Sequence, residues 1–388
     1  MTDTPYRPDL ISPSARAPHD ASATPIFQSS SFLFDNYAQI EDVFAGRSDR
    51  YIYSRGDNPT VGELENLIAR LEGAKAARGF SSGMAAICGA VLPFVQSGDR
   101  IVAVKHLYSD AYRLFETVLA RFGVETIYVD GSDTQAMIDA LSGARLVYLE
   151  SPTSWTFRLQ DLRAIATQAR HLGVTSVIDN SWATPIFQQP HDLGIDLVVH
   201  AASKYLSGHS DTLGGLVTGP RQMIEKIDHE ATHLFGGRMS PMDAFLVLRG
   251  MKTLDMRMAR HMENGLALAQ FLARHPAVTA VHHPGLAATR PEGLTGFSGL
   301  FAFDLATSVD VQRFCDALRH IRIGVSWGGP ESLIVPGQAA CALAGSANSF
   351  ARFGVSARTI RLAAGLEPYD TLASDLEDAL HVAQAAAA

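Results

Sequence analysis

Between residues 101 and 219 the chain alternates short β-branched or aliphatic runs with helical and loop stretches, and this alternation restricts the fold more than any other feature. Ile101 to Val104, Ile127 to Val129, Leu146 to Leu149, Val174 to Ile178 and Asp196 to His200 read as buried strands. Leu159, Leu162, Ile165, Ala166 and Ala169 share one face of a helix that Gly173 closes. Repeated βα units build a mostly parallel, doubly wound sheet. Such a sheet carries its chemistry in the crevice beyond the carboxyl ends of its strands.

Two residues at such ends stand out. Asp179 follows Ile178 directly, and Lys204 comes four residues after His200. The stretch after Lys204 holds Ser207, Gly208, His209, Ser210, Asp211, Gly214 and Gly215, so Lys204 belongs to a turn. A single lysine after an edge strand is ordinarily a solvated surface group. The alternative is a Schiff-base lysine, because a desolvated amine loses affinity for its proton and becomes a nucleophile towards an aldehyde. Pyridoxal phosphate (PLP) also needs an acid at its ring nitrogen, and Asp179 has that chemistry. The pair alone leaves both readings open.

The chain has 388 residues, 47% of them hydrophobic and 19% charged, enough for a large and a small domain with ample core. A net charge of -8 argues against nucleic acid or an anionic membrane as the main partner. Cys88, Cys315 and Cys341 are odd in number and widely spaced, which points away from a disulfide framework or a metal site. The first residues show no basic-then-apolar signal pattern, and a cytoplasmic location is expected.

The stretch IDNSWATPIFQQPHDLGIDLVVHAASKYLSGHSD closely resembles the PLP-lysine segment of the Cys/Met-metabolism family of PLP enzymes. That family includes cystathionine β- and γ-lyases, cystathionine γ-synthase and the O-acylhomoserine sulfhydrylases. The resemblance implies that Lys204 carries the cofactor and that Asp179 pairs with its pyridine nitrogen. It extends from about Ser22 to the last helix. It implies an aspartate-aminotransferase-like (fold type I) α/β architecture, with a smaller α+β C-terminal domain.

Further segments match the family in turn. Pro5, Pro8, Pro13, Pro18 and Pro25 make residues 1 to 58 an extended arm, and Ile26, Phe27, Phe32, Phe34 and Tyr37 need burial, as on a neighbouring subunit. Thr60 with Glu63 reads as a capping box opening a helix that Gly73 ends. Just before it, Tyr53 and Arg55 stand either as loop residues or, by the resemblance, as groups reaching the partner's cofactor phosphate. Residues 79 to 96 run from small residues into an apolar helix, whose start is a weak anion site alone. The resemblance gives the Gly83 and Met84 amides to the phosphate. It also lays Tyr108 on the cofactor ring, although Tyr-Ser-Asp-Ala here departs from the family's Tyr-Gly-Gly-Thr. Arg249 to His275 reads as one long helical stretch.

Ser326-Trp327-Gly328-Gly329 and the Arg361 segment complete the expected site. Arg361 stands mid-strand among apolar neighbours and needs an anion, either a buried structural partner or, by the resemblance, a substrate carboxylate. Ser326 and its neighbours are expected at the same carboxylate. Ser154, Trp182, Ala201 and Trp327 lean towards the family's β-lyases. Ala201 lacks a hydroxyl for the phosphate cup, so Ser203 is expected to carry more of that contact.

The expected organisation is an arm (1–58), a large PLP domain (59–248) and a C-terminal domain (249–388). The expected activity is that of a PLP-dependent carbon–sulfur lyase resembling cystathionine β-lyase. It would cleave L-cystathionine or a related cysteine thioether to a thiol, pyruvate and ammonia. Lys204, Tyr108 and Tyr53 would be its catalytic residues. The alternatives are γ-chemistry on the same scaffold and a catalytically silent binding protein. A homotetramer built from shared-site dimers is expected, with a small sulfur amino acid as the other partner. Residues 337 to 350 are expected to form a loop that shapes the pocket.

Overall fold

The computed structural model describes Leu10, residues 21–342 and residues 347–384. The first four prolines of the expected arm lie outside the described residues. Two sheets organise the chain. The first has seven strands: β1 (Ala76–Phe80), β2 (Arg100–Val104), β3 (Glu125–Val129), β4 (Leu146–Glu150), β5 (Thr175–Asp179), β6 (Leu197–Ala201) and β7 (Gly215–Gly219). Their spatial order is β1-β7-β6-β5-β4-β2-β3. The run from β3 to β6 is parallel, and β7 is antiparallel to both its neighbours. Strands covered on both faces need continuous apolar runs. Accordingly, Ile101 to Val104, Leu146 to Leu149 and Leu197 to Val199 are all fully buried.

The second sheet has five strands: β8 (Val278–His282), β9 (Leu300–Leu305), β10 (Arg322–Ile323), β11 (Leu333–Pro336) and β12 (Thr359–Ala363), in the order β10-β11-β12-β9-β8. Phe301, Phe303, Ile360 and Leu362 pack in its core against the helix Tyr369–Gln384. Arg361 therefore points from the opposite face of β12. No helix among the described residues is long and apolar enough to cross a membrane.

Two local expectations are corrected. The helix Pro59–Glu72 is capped by Asn58, whose side chain accepts the Thr60 N–H, and not by Thr60. Proline at the first helical position favours the residue before it as the cap. The Thr60 hydroxyl is free for the arm, donating to the Pro25 carbonyl at 2.8 Å and accepting from the Phe27 N–H at 2.9 Å. The stretch from Arg249 is also not one helix. It belongs to two, Pro241–Met251 and Leu254–Leu272, and the break is made by tertiary contacts. Arg257 donates to the Gly250 carbonyl at 2.8 Å and to the Tyr205 carbonyl at 2.7 Å, so the turn carrying Lys204 and the end of the first helix share one guanidinium.

Candidate active site

The parallel strands β2, β4, β5 and β6 end on the same side of the sheet, and each delivers a functional group there. Tyr108 follows β2, Glu150 closes β4, Asp179 closes β5, and Lys204 lies in the turn after β6. That turn is closed by the Lys204 N–H to the Ala201 carbonyl (3.0 Å) and the Gly208 N–H to the Lys204 carbonyl (2.8 Å).

Burial and the nearby Arg361 charge lower the proton affinity of the Lys204 amine to a pKa of about 8, against the opposing pull of Asp179. The ammonium donates to Ser326 Oγ at 2.6 Å and lies 5.3 Å from the centre of the Trp327 ring. Gly328, at φ +92°, presses against Tyr205 and Lys204, and a Cβ there would come within 2.7 Å of the Tyr205 nitrogen. Only glycine lets the 326–329 loop lie this close to the lysine turn.

Asp179 is held by Ser181, whose N–H donates at 2.9 Å and whose hydroxyl donates at 2.5 Å to the same oxygen. The Ala201 N–H in turn donates to that hydroxyl at 2.6 Å, linking the ends of β5 and β6. Burial raises the Asp179 pKa, and the Ser181 bonds, His200 and Lys204 oppose the rise. His200 is itself sealed in the core, 2.6 Å from Glu72.

Arg361 is 5.3 Å from the Trp155 ring centre, and the Trp155 ring meets Phe350 edge-on at 4.9 Å. Desolvation lowers its pKa to about 10. Among the described residues no carboxylate pairs with it. A half-buried guanidinium without a partner is a ready site for a carboxylate ligand. Tyr108 is 38% exposed, and its hydroxyl donates to Asp110 at 2.9 Å. Burial and the Asp110 charge raise its pKa, so the phenol keeps its proton.

Gly83 begins the helix Gly83–Val91, capped by Ser82, whose hydroxyl accepts the Ala85 N–H at 3.1 Å. A Cβ on Gly83 would meet the Ala201 Cβ at 2.8 Å, so the helix start lies against the end of β6. Met84 packs into the large core and Ser203 is half-buried in the lysine turn. Open amides at a helix start, a low-pKa lysine and a hydrogen-bonded carboxylate are the donor set that PLP requires, and the residues fit it.

Other expected site residues are placed differently. Tyr53 is 50% exposed and bridges to Ser31, while Arg55 donates to the His233 carbonyl at 2.6 Å. Among the described residues neither hydrogen-bonds to the Lys204 cluster. Trp182 is buried and its indole N–H donates to the Leu300 carbonyl at 2.9 Å, which makes it scaffold rather than pocket wall. The 337–350 stretch is partly helical, at Gly337–Cys341 and from Ser349 on, and residues 343–346 lie outside the described residues. Glu150 and Ser181 are not among the site residues expected from sequence, whereas Trp155, beside Ser154, and Phe350, at the end of the 337–350 stretch, belong to segments expected to shape the pocket. Only the position of Glu150 at a strand end offered a signal for it.

The chain matches the Cys/Met metabolism PLP-dependent enzyme family over residues 11–381. It is 36% identical to an L-methionine gamma-lyase of Pseudomonas putida over 93% of this chain and 92% of that one. It is 37% identical to a cystathionine gamma-lyase of Bacillus subtilis (strain 168), covering 93% and 94%. The solved cystathionine gamma-lyase from Lactobacillus plantarum complexed with L-serine superposes with a TM-score of 0.89 at 33% identity, over 99% of this chain and 100% of that one. With the site geometry above, these likenesses make the chain a fold type I, PLP-dependent carbon–sulfur lyase that belongs to the Cys/Met metabolism PLP-dependent enzyme family.

Proposed function

We propose that the enzyme catalyses γ-elimination from a sulfur amino acid of the methionine or cystathionine type, releasing a thiol, 2-oxobutyrate and ammonia. The observation that carries the site reading is the convergence of Lys204, Asp179 and the unpaired Arg361 at the carboxyl ends of one parallel sheet. Support for γ-chemistry over the β-elimination expected from sequence comes from the relatives, which are γ-lyases matched along nearly their whole length. Two residues that leaned towards β-chemistry also lose force, since Trp182 is scaffold and Ala201 packs on Gly83.

In this reading Arg361 binds the substrate carboxylate and fixes the Cα–H bond in front of Lys204. Bound PLP supplies the electron sink. With PLP bound, the Lys204 amine would be the base for the Cα proton, a role its lowered pKa favours. After handing that first proton on, the same amine would be free again to take the second, at Cβ, that γ-elimination requires. Asp179 stays anionic to hold the ring nitrogen protonated. Ser203 and the Gly83 and Met84 amides hold the phosphate. Ser326, Trp327 and Ser154 would border the substrate, and the Tyr108 ring would shield the bound cofactor from water. Tyr53 and Arg55 act in the neighbouring subunit's site. Exposed Leu33, Tyr37 and Phe44 on the same arm support such an assembly, with a dimer as the minimum and a tetramer as the full form.

Trp327, 5.3 Å from the Lys204 amine, is of the type that the resemblance links to β-lyases, which keeps β-elimination as a second reading. Product analysis with L-cystathionine separates the two. 2-Oxobutyrate supports γ-elimination, and pyruvate alone replaces it with β-elimination.

A further inference from the structure

Glu150 is the last residue of β4 and lies in register with Asp179, the last residue of β5. It is 6% exposed. Its carboxyl accepts the Tyr108 backbone N–H at 2.7 Å and the Tyr148 hydroxyl at 3.4 Å. The Ser154 backbone amide also favours its charged form. One side chain thus ties the turn after β2 to the strand end beside Asp179, with the amide of Ser154 in the loop after β4 acting on the same carboxyl. Those two segments carry Tyr108, Ser154 and Trp155, and the Trp155 ring faces Arg361.

We propose that Glu150 is a positioning residue that holds Tyr108 and the Ser154–Trp155 loop in fixed registry with Asp179. The inference rests on the PLP reading of the Lys204 crevice. Glu150 works as an acceptor and not as an anion. Asp179 has the Ser181 N–H and hydroxyl, His200 and Lys204 to favour its charge. Glu150 faces Asp179, Tyr148 and the amides of Tyr108 and Ser154, with no cation among them. Two adjacent buried carboxyls resist ionising together. Burial and the Asp179 charge hold the Glu150 carboxyl well above the usual carboxylate range, so the proton resides on Glu150. A protonated acid still offers its carbonyl oxygen to an amide.

The test uses the PLP-loaded enzyme. It reads kcat/KM for L-cystathionine or L-methionine, whichever the parent turns over faster, its pH profile, and the visible circular dichroism of the bound cofactor. Glu150→Met keeps the volume and removes the acceptor. Glu150→Gln keeps a neutral acceptor. Displacing a substrate-orienting group by about 1 Å can cost about a hundredfold in rate, so Glu150→Met is expected to lose roughly 30-fold or more, with altered dichroism at normal PLP content. Glu150→Gln is expected to recover to within about threefold of the parent, with an unmoved pH profile, since it preserves the neutral acceptor. A Met variant like the parent overturns the proposal. So does a Gln variant that falls as far as Met or shifts the profile by about a pH unit, since each unit reports a charge interaction of about 1.4 kcal/mol. If the Met variant does not fold, the Gln variant decides by the same two readouts. The parent's visible band is recorded first. Its absence overturns the PLP reading and this proposal together, whereas a band with insensitive variants overturns only this proposal.

Discussion

The Lys204 amine donates to Ser326 Oγ at 2.6 Å, joining two residues 122 positions apart and closing the first sheet's crevice with a loop of the second. Ser326 adopts φ +83°, a left-handed backbone that a non-glycine residue holds only under tertiary constraint. The contact leaves the amine half-buried and aimed, which is the state a nucleophile requires. Ser326→Ala removes one hydrogen bond to this group. A bond of that kind is worth about 1.4 kcal/mol, so kcat/KM should drop about tenfold at pH 7.5 with PLP content unchanged. Steady-state kinetics on the loaded variant checks this.

In the proposed mechanism the Lys204 pKa of about 8 sets the pH dependence of cofactor loading. Only the unprotonated amine attacks an aldehyde. The rate of PLP incorporation into the apoenzyme should therefore rise about tenfold per pH unit below about 8 and level off above it. Stopped-flow absorbance across pH 6 to 10 reads the curve. A plateau reached only near the ordinary lysine pKa would contradict the desolvated setting of Lys204.

Ser181 gives Asp179 two hydrogen bonds that favour the carboxylate. Removing the hydroxyl in Ser181→Ala should raise the Asp179 pKa further. The acid limb of kcat/KM then moves to higher pH, because protonation of Asp179 begins earlier as pH falls. The alkaline limb should stay in place. A pH profile of the variant beside the parent tests both statements.

Arg361→Ala removes the only cation placed for the substrate carboxylate in this reading. Its kcat/KM should fall by about a hundredfold or more, largely through KM, because a bidentate charged contact is lost in ground and transition state alike. Arg361→Lys should recover only part of this, since an ammonium lacks the fork. Unchanged KM in both variants would assign the carboxylate to another residue.

The strand ends were readable because apolar runs of strand length mark buried parallel strands, and polar residues directly after them fall in the crevice. That pattern places Asp179 at the end of β5 and Lys204 just beyond β6. It does not mark Ser181 and Glu150, because their partners depend on the register of β5 against β6 and of β4 against β5, which no local pattern encodes. The break before Leu254 was equally hidden. It contains neither glycine nor proline and arises from Arg257 drawing the Gly250 and Tyr205 carbonyls together. The Asn58 cap was missed because Thr60 and Glu63 offered a competing local signature, while Thr60 was engaged by Pro25 and Phe27, more than thirty residues away in sequence. The lean towards β-chemistry draws in part on Trp182, whose side chain turns into the scaffold.

The chain's lysines are Lys75, Lys105, Lys204, Lys226 and Lys252, and Lys204 alone follows β6 in the crevice. Borohydride reduction of the PLP-loaded protein, followed by peptide mass mapping, locates the lysine that holds the cofactor. The expected result is one stoichiometric modification, at Lys204, abolished in Lys204→Ala together with turnover. Modification at another lysine, or a Lys204→Ala enzyme that keeps near-parental activity, would contradict the site on which the whole mechanism rests.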